Sequence, residues 1–241
     1  MKLIAHRGGR RGAENSIDAL IHAARLGADA VECDLRRTRD GVPVIFHDDT
    51  LSRLTGNPAA VSELTLAEMK ALLSESGREL LTFEALQGRY RENVPILLHI
   101  KQKEGDEDLA SKIASSGLPL IAGVVSLPML RAFQGRLPRE QLLAFMESPS
   151  AVRTYWDAGA GILRLWEQWL SDIEPDTVRQ ICPGAEVFVM ACNLRTPPSE
   201  GIPLESMDGS PESLSRCAAL HADGVLLNDI EMALAWRAAR M

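Results

Sequence analysis

Residues 3–48 read LIAHRGGRRGAENSIDALIHAARLGADAVECDLRRTRDGVPVIFHD, and two periodicities alternate along them. Leu3 to Ala5 is a short apolar run that ends on His6. From Asn15 to Leu26 the apolar residues Ile17, Leu20, Ile21 and Ala24 recur at helical spacing on one face. Asn15 suits the N-cap of that helix, with Glu14 adding negative charge at the positive end of its dipole. A second short run, Ala30 to Asp34, follows. On a strand, side chains alternate between faces, so Glu32 and Asp34 point the same way and Cys33 points the other.

Asp40-Gly41 is a strong hairpin signal, because a type I′ turn needs positive φ at both central positions. Read as that turn, it makes residues 34 and 47 mirror positions, with His47 directly across from Asp34. The connection from Asp34 to Val44 is too short for a parallel crossover, so Pro43 to Phe46 is expected to run antiparallel, as an excursion from the main sheet.

Further out, strand-like runs recur at Ile96 to Lys101, Leu120 to Val125, Leu142 to Phe145, Ile162 to Leu165, Val187 to Ala191 and Gly224 to Leu227. Helical patterns follow most of them, for example Pro175 to Ile181. Eight strands alternating with helices predict a (β/α)₈ TIM barrel with a β-hairpin excursion after the second strand. Thr50 to Leu81 has helix-like runs, notably Leu64 to Leu73, and no barrel strand. It reads as a small insertion, at about 50–81, above the active-site face. The Pro-, Gly- and Ser-rich stretch 193–211 is longer than most connections and follows a strand.

The chain has 241 residues, 46% of them apolar, and the expectation is a single domain over 1–241, near the roughly 250 residues usual for this barrel. A net charge of -7 and a pI near 5.3 argue against nucleic acid as a partner. No apolar run approaches the roughly 18 residues of a membrane span, and Met1 to Ala5 leaves no room for a signal peptide, so a cytoplasmic location is expected. Cys33, Cys182, Cys192 and Cys217 lack CxxC spacing and read as buried free thiols. Composition is silent on oligomeric state, and a homo-oligomer is compatible with it.

Barrel enzymes keep their chemistry at the C-terminal ends of the strands. His6, Arg7, Glu32, Asp34, His99, Lys101, Ser126, Asn193 and Asn228 all fall there, so the motifs converge on one mouth. Two convergent carboxylates are hard oxygen ligands for Mg²⁺, Ca²⁺ or Mn²⁺. His6 and His47 titrate near neutral pH. His22 and His221 read as structural, and Trp156, Trp166 and Trp169 as packing residues, with Arg164 and Glu167 within reach of the pocket.

The ordered set His6-Arg7-Gly8, Glu14-Asn15-Ser16, Glu32-Cys33-Asp34 and His47-Asp48 resembles the glycerophosphodiester phosphodiesterases, specifically over residues 3–56. Beyond that stretch, residues 222–226 resemble the family's last strand and Asn193 its seventh. The resemblance implies metal-dependent hydrolysis of a small-molecule glycerophosphodiester to glycerol 3-phosphate and an alcohol, within lipid and glycerol metabolism. It implies a divalent ion held by carboxylates, His6 and His47 as acid and base, and Arg7, Lys101 and Glu14 around the substrate. Which histidine is the acid, and whether water or the substrate's own hydroxyl attacks first, stay open at this stage.

The third strand departs from the pattern. The family's Glu-Ile-Lys is replaced by His99-Ile100-Lys101. Aligning the lysines puts His99 at the ligand position, which retains a metal site and shifts it toward Mn²⁺ or a borderline ion. Moving the alignment by two residues instead puts Lys101 where the metal should be. His99 is preferred because an imidazole coordinates and an ammonium does not; Glu104 and Asp106 are the replacement ligands should it fail. The family's aromatic before Asn193 is also replaced, by Met190 or Ala191. Two alternatives accompany the main reading: a phosphodiester-binding barrel that has lost its metal, and a lysophospholipase D-like enzyme served by an apolar patch of Ile202, Leu204 and Met207.

Overall fold

The computed structural model describes residues 1–192 and 207–240. Asn193, Ile202 and Leu204 lie outside these residues. The strands are β1 (Lys2–Ala5), β2 (Ala30–Arg37), β3 (Pro43–Ile45), β4 (Ile96–Ile100), β5 (Leu120–Val124), β6 (Leu142–Phe145), β7 (Ile162–Trp166), β8 (Glu186–Met190) and β9 (Gly224–Leu227). All but β3 pair in parallel. The order β1-β9-β8-β7-β6-β5-β4-β2 closes through a β1–β2 pairing, which makes an eight-stranded TIM barrel. Helices α1 (Ile17–Leu26), α4 (Phe83–Arg89), α5 (Glu107–Ala114), α6 (Leu127–Ala132), α7 (Val152–Asp157), α8 (Pro175–Ile181), α9 (Pro211–Ala219) and α10 (Ile230–Ala238) surround it.

Alternation along each strand builds two cores. Inside the barrel, Ile4, Ala30, Leu97, Leu143, Ile162, Phe188 and Leu226 form one apolar cluster. Val31, Cys33 and Leu35 point outward into the larger layer between strands and helices. The inward rank of β2 therefore runs from Ala30 to Glu32 and Asp34, both fully buried, so its polar residues crowd toward the C-terminal mouth. All four cysteines are buried and free, as their spacing indicates.

The hairpin differs from expectation by one residue. β3 pairs antiparallel with β2 through Leu35↔Ile45, Arg36↔Val44 and Arg37↔Pro43, and Phe46 N–H donates to the Asp34 carbonyl at 2.9 Å. Phe46, not His47, therefore lies across from Asp34. The cause is the turn. Gly41 alone has positive φ (80°), and Gly41 N–H donates to Thr38 O while Thr38 N–H donates to Val42 O. This is a three-residue loop closed by a left-handed glycine, which moves the register by one against a two-residue turn.

After the hairpin, α2 (Ser52–Thr55) and α3 (Leu66–Glu75) form the insertion. Leu51, Val61, Met69, Leu73 and Leu80 pack with Val44 and Phe46 of the hairpin in a small core of their own. That core fixes the hairpin over the barrel mouth. The N-cap of α1 is Ser16, whose hydroxyl accepts from Ala19 N–H at 3.2 Å. Asn15 takes positive φ (59°) instead and is turned toward the site.

Candidate active site

The mouth of the barrel holds a cavity of about 520 Å³, lined by His6, Arg7, Glu32, His47, His99 and Lys101 among others. A volume in this range suits a small ligand. Of the residues singled out from the sequence, His6, Arg7, Glu32, His47, His99, Lys101 and Arg164 line it, while Asp34, Glu14, Ser126, Glu167 and Asn228 do not, and Asn193 lies outside the described residues.

His6 and Arg7 enter on a single turn after β1. Arg7 adopts φ 52°, a left-handed conformation that is costly for a residue with a side chain. In return its backbone N–H donates to Glu32 Oε2 at 2.8 Å. Gly8 follows at φ 83°, and a Cβ there would stand 2.8 Å from that of Ala19, so only glycine lets α1 pack this close. Arg7 is paired with Glu14 at 3.0 Å and Asp34 at 3.4 Å. Glu14, expected to touch substrate, instead lies between Arg7 and Arg53, with both carboxylate oxygens taken. It positions Arg7.

Each candidate catalytic histidine is anchored through Nδ1. His6 Nδ1 lies 2.7 Å from Asn228 Oδ1. The Asn228 amide nitrogen donates to Asp208 Oδ1 at 3.2 Å, which orients its oxygen toward His6. The His6 Nδ1 therefore carries the proton, leaving Nε2 unprotonated. Burial, and then the Arg7 charge, hold the His6 pKa well below its ordinary value. His47 Nδ1 lies 2.6 Å from Asp48 Oδ1, and Arg36 Nε donates to the His47 carbonyl at 2.7 Å. Burial lowers the His47 pKa too, against the opposing pull of Asp34 and Asp48. Asp48 accepts a second hydrogen bond, from Arg53 Nε at 2.6 Å. Burial works to raise its pKa, but the hydrogen bonds from His47 and Arg53 outweigh it and hold Asp48 at about 2.

Glu32, Asp34 and His99 offer one ligand atom each within 4.8 Å of one another. His99 Nδ1 stands 3.2 Å from Asp34 Oδ1 and 3.7 Å from Glu32 Oε1. Lys101 Nζ is 2.9 Å from Asp34 Oδ1, and the buried oxygens Glu32 Oε1 and Asp34 Oδ1 accept no hydrogen bond of good geometry. Burial, reinforced by Asp34, pushes the Glu32 pKa up to about 8. Two buried carboxylate oxygens without a well-aligned hydrogen bond, facing an imidazole, make a donor set that fits a divalent cation. Asp106 is not part of this cluster: it caps α5 and pairs with Arg37.

Several residues that shape the site were not legible as such. Asn15 clamps Asp34 from both sides, its Nδ2 donating to Asp34 Oδ2 and its Oδ1 accepting from Asp34 N–H, each at 3.0 Å. Arg36 shares the inward rank with Glu32 and Asp34, a strand-period signal that was available. Phe145 stacks on His99 with centroids 3.6 Å apart. It reaches across β5 because Gly123 is there: a Cβ at that position would meet Phe145 Cε2 at 2.4 Å. Trp166 lines the cavity, and Ser126 caps α6 (Leu127–Ala132).

These features define a class: a (β/α)₈ barrel whose mouth joins a buried carboxylate and imidazole cluster to two histidines anchored through Nδ1. Residues 6–116 match the model of the glycerophosphoryl diester phosphodiesterase family. A glycerophosphodiester phosphodiesterase of Caldanaerobacter subterraneus subsp. tengcongensis is 37% identical over 125 residues, 51% of this chain and 48% of that protein. Mouse glycerophosphodiester phosphodiesterase 1 is 35% identical over 119 residues, 45% of this chain and 35% of its own length. The chain thus spans about half or less of the curated relatives it matches. Two solved structures share the fold across almost the whole chain. The Thermotoga maritima glycerophosphodiester phosphodiesterase has a TM-score of 0.71 at 19% identity, covering 97% of this chain and 96% of that one. An Oleispira antarctica phosphodiesterase, in complex with the product sn-glycerol-3-phosphate, has a TM-score of 0.70 at 20% identity, covering 99% and 97%. Residues 6–116 are thus similar in sequence to the glycerophosphoryl diester phosphodiesterase family, and the solved structures share the barrel fold.

Proposed function

We propose that this chain is a phosphoric diester hydrolase that cleaves glycerophosphodiesters to glycerol 3-phosphate and an alcohol, with residues 1–241 serving as one barrel domain. The observation that carries the reading is the pairing of two unsatisfied carboxylate oxygens and an imidazole with two histidines anchored at Nδ1. Glu32, Asp34 and His99 would hold a divalent ion: Mg²⁺, Ca²⁺ or Mn²⁺, the last best suited to a mixed oxygen and nitrogen set. When bound, the ion neutralises charge on the phosphate oxygens as a Lewis acid.

The chain's own residues supply the rest. Arg7, fixed by Glu14 and Asp34, and Lys101 present positive charge to the non-bridging phosphate oxygens. His6 is held neutral, with Nε2 unprotonated and 3.9 Å from Glu32 Oε2; its Nδ1 rests on the Asn228 amide oxygen and not on a carboxylate, so the base is assigned to it. His47 has a carboxylate behind Nδ1, which stabilises an imidazolium, so His47 in that doubly protonated form is assigned the acid, its Nε2–H protonating the departing alcohol.

The metal-free binding barrel calls for Lys101 to engage both carboxylates. Lys101 is within ion-pair distance of Asp34, whereas His99 faces both Asp34 and Glu32, an arrangement that favours the enzyme. For the lysophospholipase D-like reading, Met207 is the described member of the apolar trio, and it is buried against the cavity.

The test is release of glycerol 3-phosphate from glycerophosphocholine and glycerophosphoethanolamine, with Mg²⁺, Ca²⁺ or Mn²⁺ added in turn and EDTA as control. Release that depends on one of these ions is expected. No release with any ion, together with no calorimetric binding of the ions, would overturn the reading.

A further inference from the structure

Five cationic side chains line the cavity: Arg7, Arg36, Lys101, Lys103 and Arg164. Four have an acidic partner within the protein. Arg7 pairs with Glu14 and Asp34, Arg36 with Asp49, Lys101 with Asp34 and Lys103 with Glu147. Arg164 has none among the described residues, and its Nε and Nη1 are buried without a hydrogen-bond partner. The side chain is 6% exposed. Burial pulls its pKa down to about 9, which still leaves it charged at neutral pH.

A buried cation without a counter-ion among the described residues is costly and calls for one. Three aromatic rings stand around the guanidinium, and none of them offers its Nε or Nη1 an acceptor. Its carbon lies 4.5 Å from the Trp166 ring centroid, 5.2 Å from Phe145 and 5.8 Å from Trp169. The position around the barrel is equally informative. His99 is on β4, Gly123 on β5, Phe145 on β6 and Arg164 on β7, and Phe145 pairs directly with Arg164. Because Phe145 lies over Gly123 against His99, its ring stands between the carboxylate and imidazole cluster and Arg164. An anion on Arg164 would therefore be a different group from the phosphate that reacts beside Glu32, Asp34 and His99.

We propose that Arg164 receives a second anionic group, a carboxylate or a phosphate monoester, on the alcohol portion of the substrate, so that the favoured phosphodiesters are those with an acidic alcohol. This rests on the hydrolytic reading above and specifies its substrate class. A planar guanidinium binds either oxyanion through paired hydrogen bonds, and a charge-assisted pair in a dry site is strong.

Two substrate pairs test it. Glycerophosphoserine and glycerophosphoethanolamine differ by one carboxylate; glycerophosphoglycerol and its terminal phosphate monoester differ by one phosphate. The expected result is a kcat/KM ratio of about tenfold or more for the acidic member of one pair. Which pair shows it identifies the anion. Arg164→Met, close in volume and suited to an aromatic surround, should bring that ratio to near one, and Arg164→Lys should retain part of it. A wild-type ratio near one in both pairs, or a ratio that survives Arg164→Met, overturns the proposal. If neither pair is hydrolysed, the hydrolytic reading falls by itself. Calorimetric dissociation constants for the same pairs then decide the role of Arg164, a tenfold difference lost in Arg164→Met supporting it and equal affinities overturning it.

Discussion

Asp48→Asn separates what Asp48 does for the fold from what it does for His47. In the folded protein the carboxyl is held at about 2 against an ordinary 3.8, with His47 and Arg53 overcoming the cost of burial. At face value that difference corresponds to about 2 kcal/mol of preference for the ionised form. The side chain keeps 21% of its surface in water, and solvent screening reduces the figure to about 1 kcal/mol. Because the folded pKa is depressed, this contribution is fully present above the ordinary value and is lost as pH falls toward about 2. Urea unfolding should therefore find Asp48→Asn about 1 kcal/mol less stable at pH 7, with the gap to wild type shrinking between pH 5 and pH 3. Turnover should fall far more, by about 10²- to 10⁴-fold. An asparagine amide can donate to Nδ1, move the His47 proton to Nε2, and remove the carboxylate that stabilises the imidazolium. A variant with near-normal turnover would refute the role given to the His47–Asp48 pair. A stability loss that stays constant down to pH 3 would refute the electrostatic account of Asp48.

Three further outcomes follow from the same geometry. His6→Ala should cut turnover by about 10² or more while divalent-ion affinity, read by calorimetry, stays nearly unchanged; a near-normal rate would remove His6 from the chemistry. Lys101→Met removes a cation 2.9 Å from Asp34 and should tighten Mn²⁺ binding by about tenfold while raising KM for the diester, so weaker ion binding would show that Lys101 supports the cluster instead of competing with it. Gly123→Ala places a Cβ 2.4 Å from Phe145, and thermal unfolding should show a loss of about 1–3 kcal/mol as the ring is forced off His99; an unchanged midpoint would mean the stack is not tightly packed.

The features readable from the sequence share a physical basis: each is set by a local period. The eight strands, the common face of Glu32 and Asp34, and the outward turn of Cys33 all follow from side-chain alternation. Register across a turn is less secure, because it depends on how many residues the loop uses. Asp40-Gly41 reads equally as a two-residue turn or as the end of a three-residue one, and the second shifts His47 off Asp34 by one position. Asn15 and Ser16 are both good capping residues. Which of them caps α1 was decided at Asp34, which engages the Asn15 side chain from nineteen residues away. The contacts that the sequence hid are those between strands remote in the chain. His99 stands where the family resemblance leads one to expect a glutamate, and nothing near it in sequence explains how an imidazole is held there. The structure supplies the answer from two other strands: Phe145 gives it a flat surface to stack on, and Gly123 leaves the room for Phe145 to do so. The departure at position 99 is thus a property of three strands together. The same ring that secures His99 on one side stands beside Arg164 on the other, and so the residue that most sets this site apart from the family pattern is physically tied to the cavity cation that has no acidic partner among the described residues.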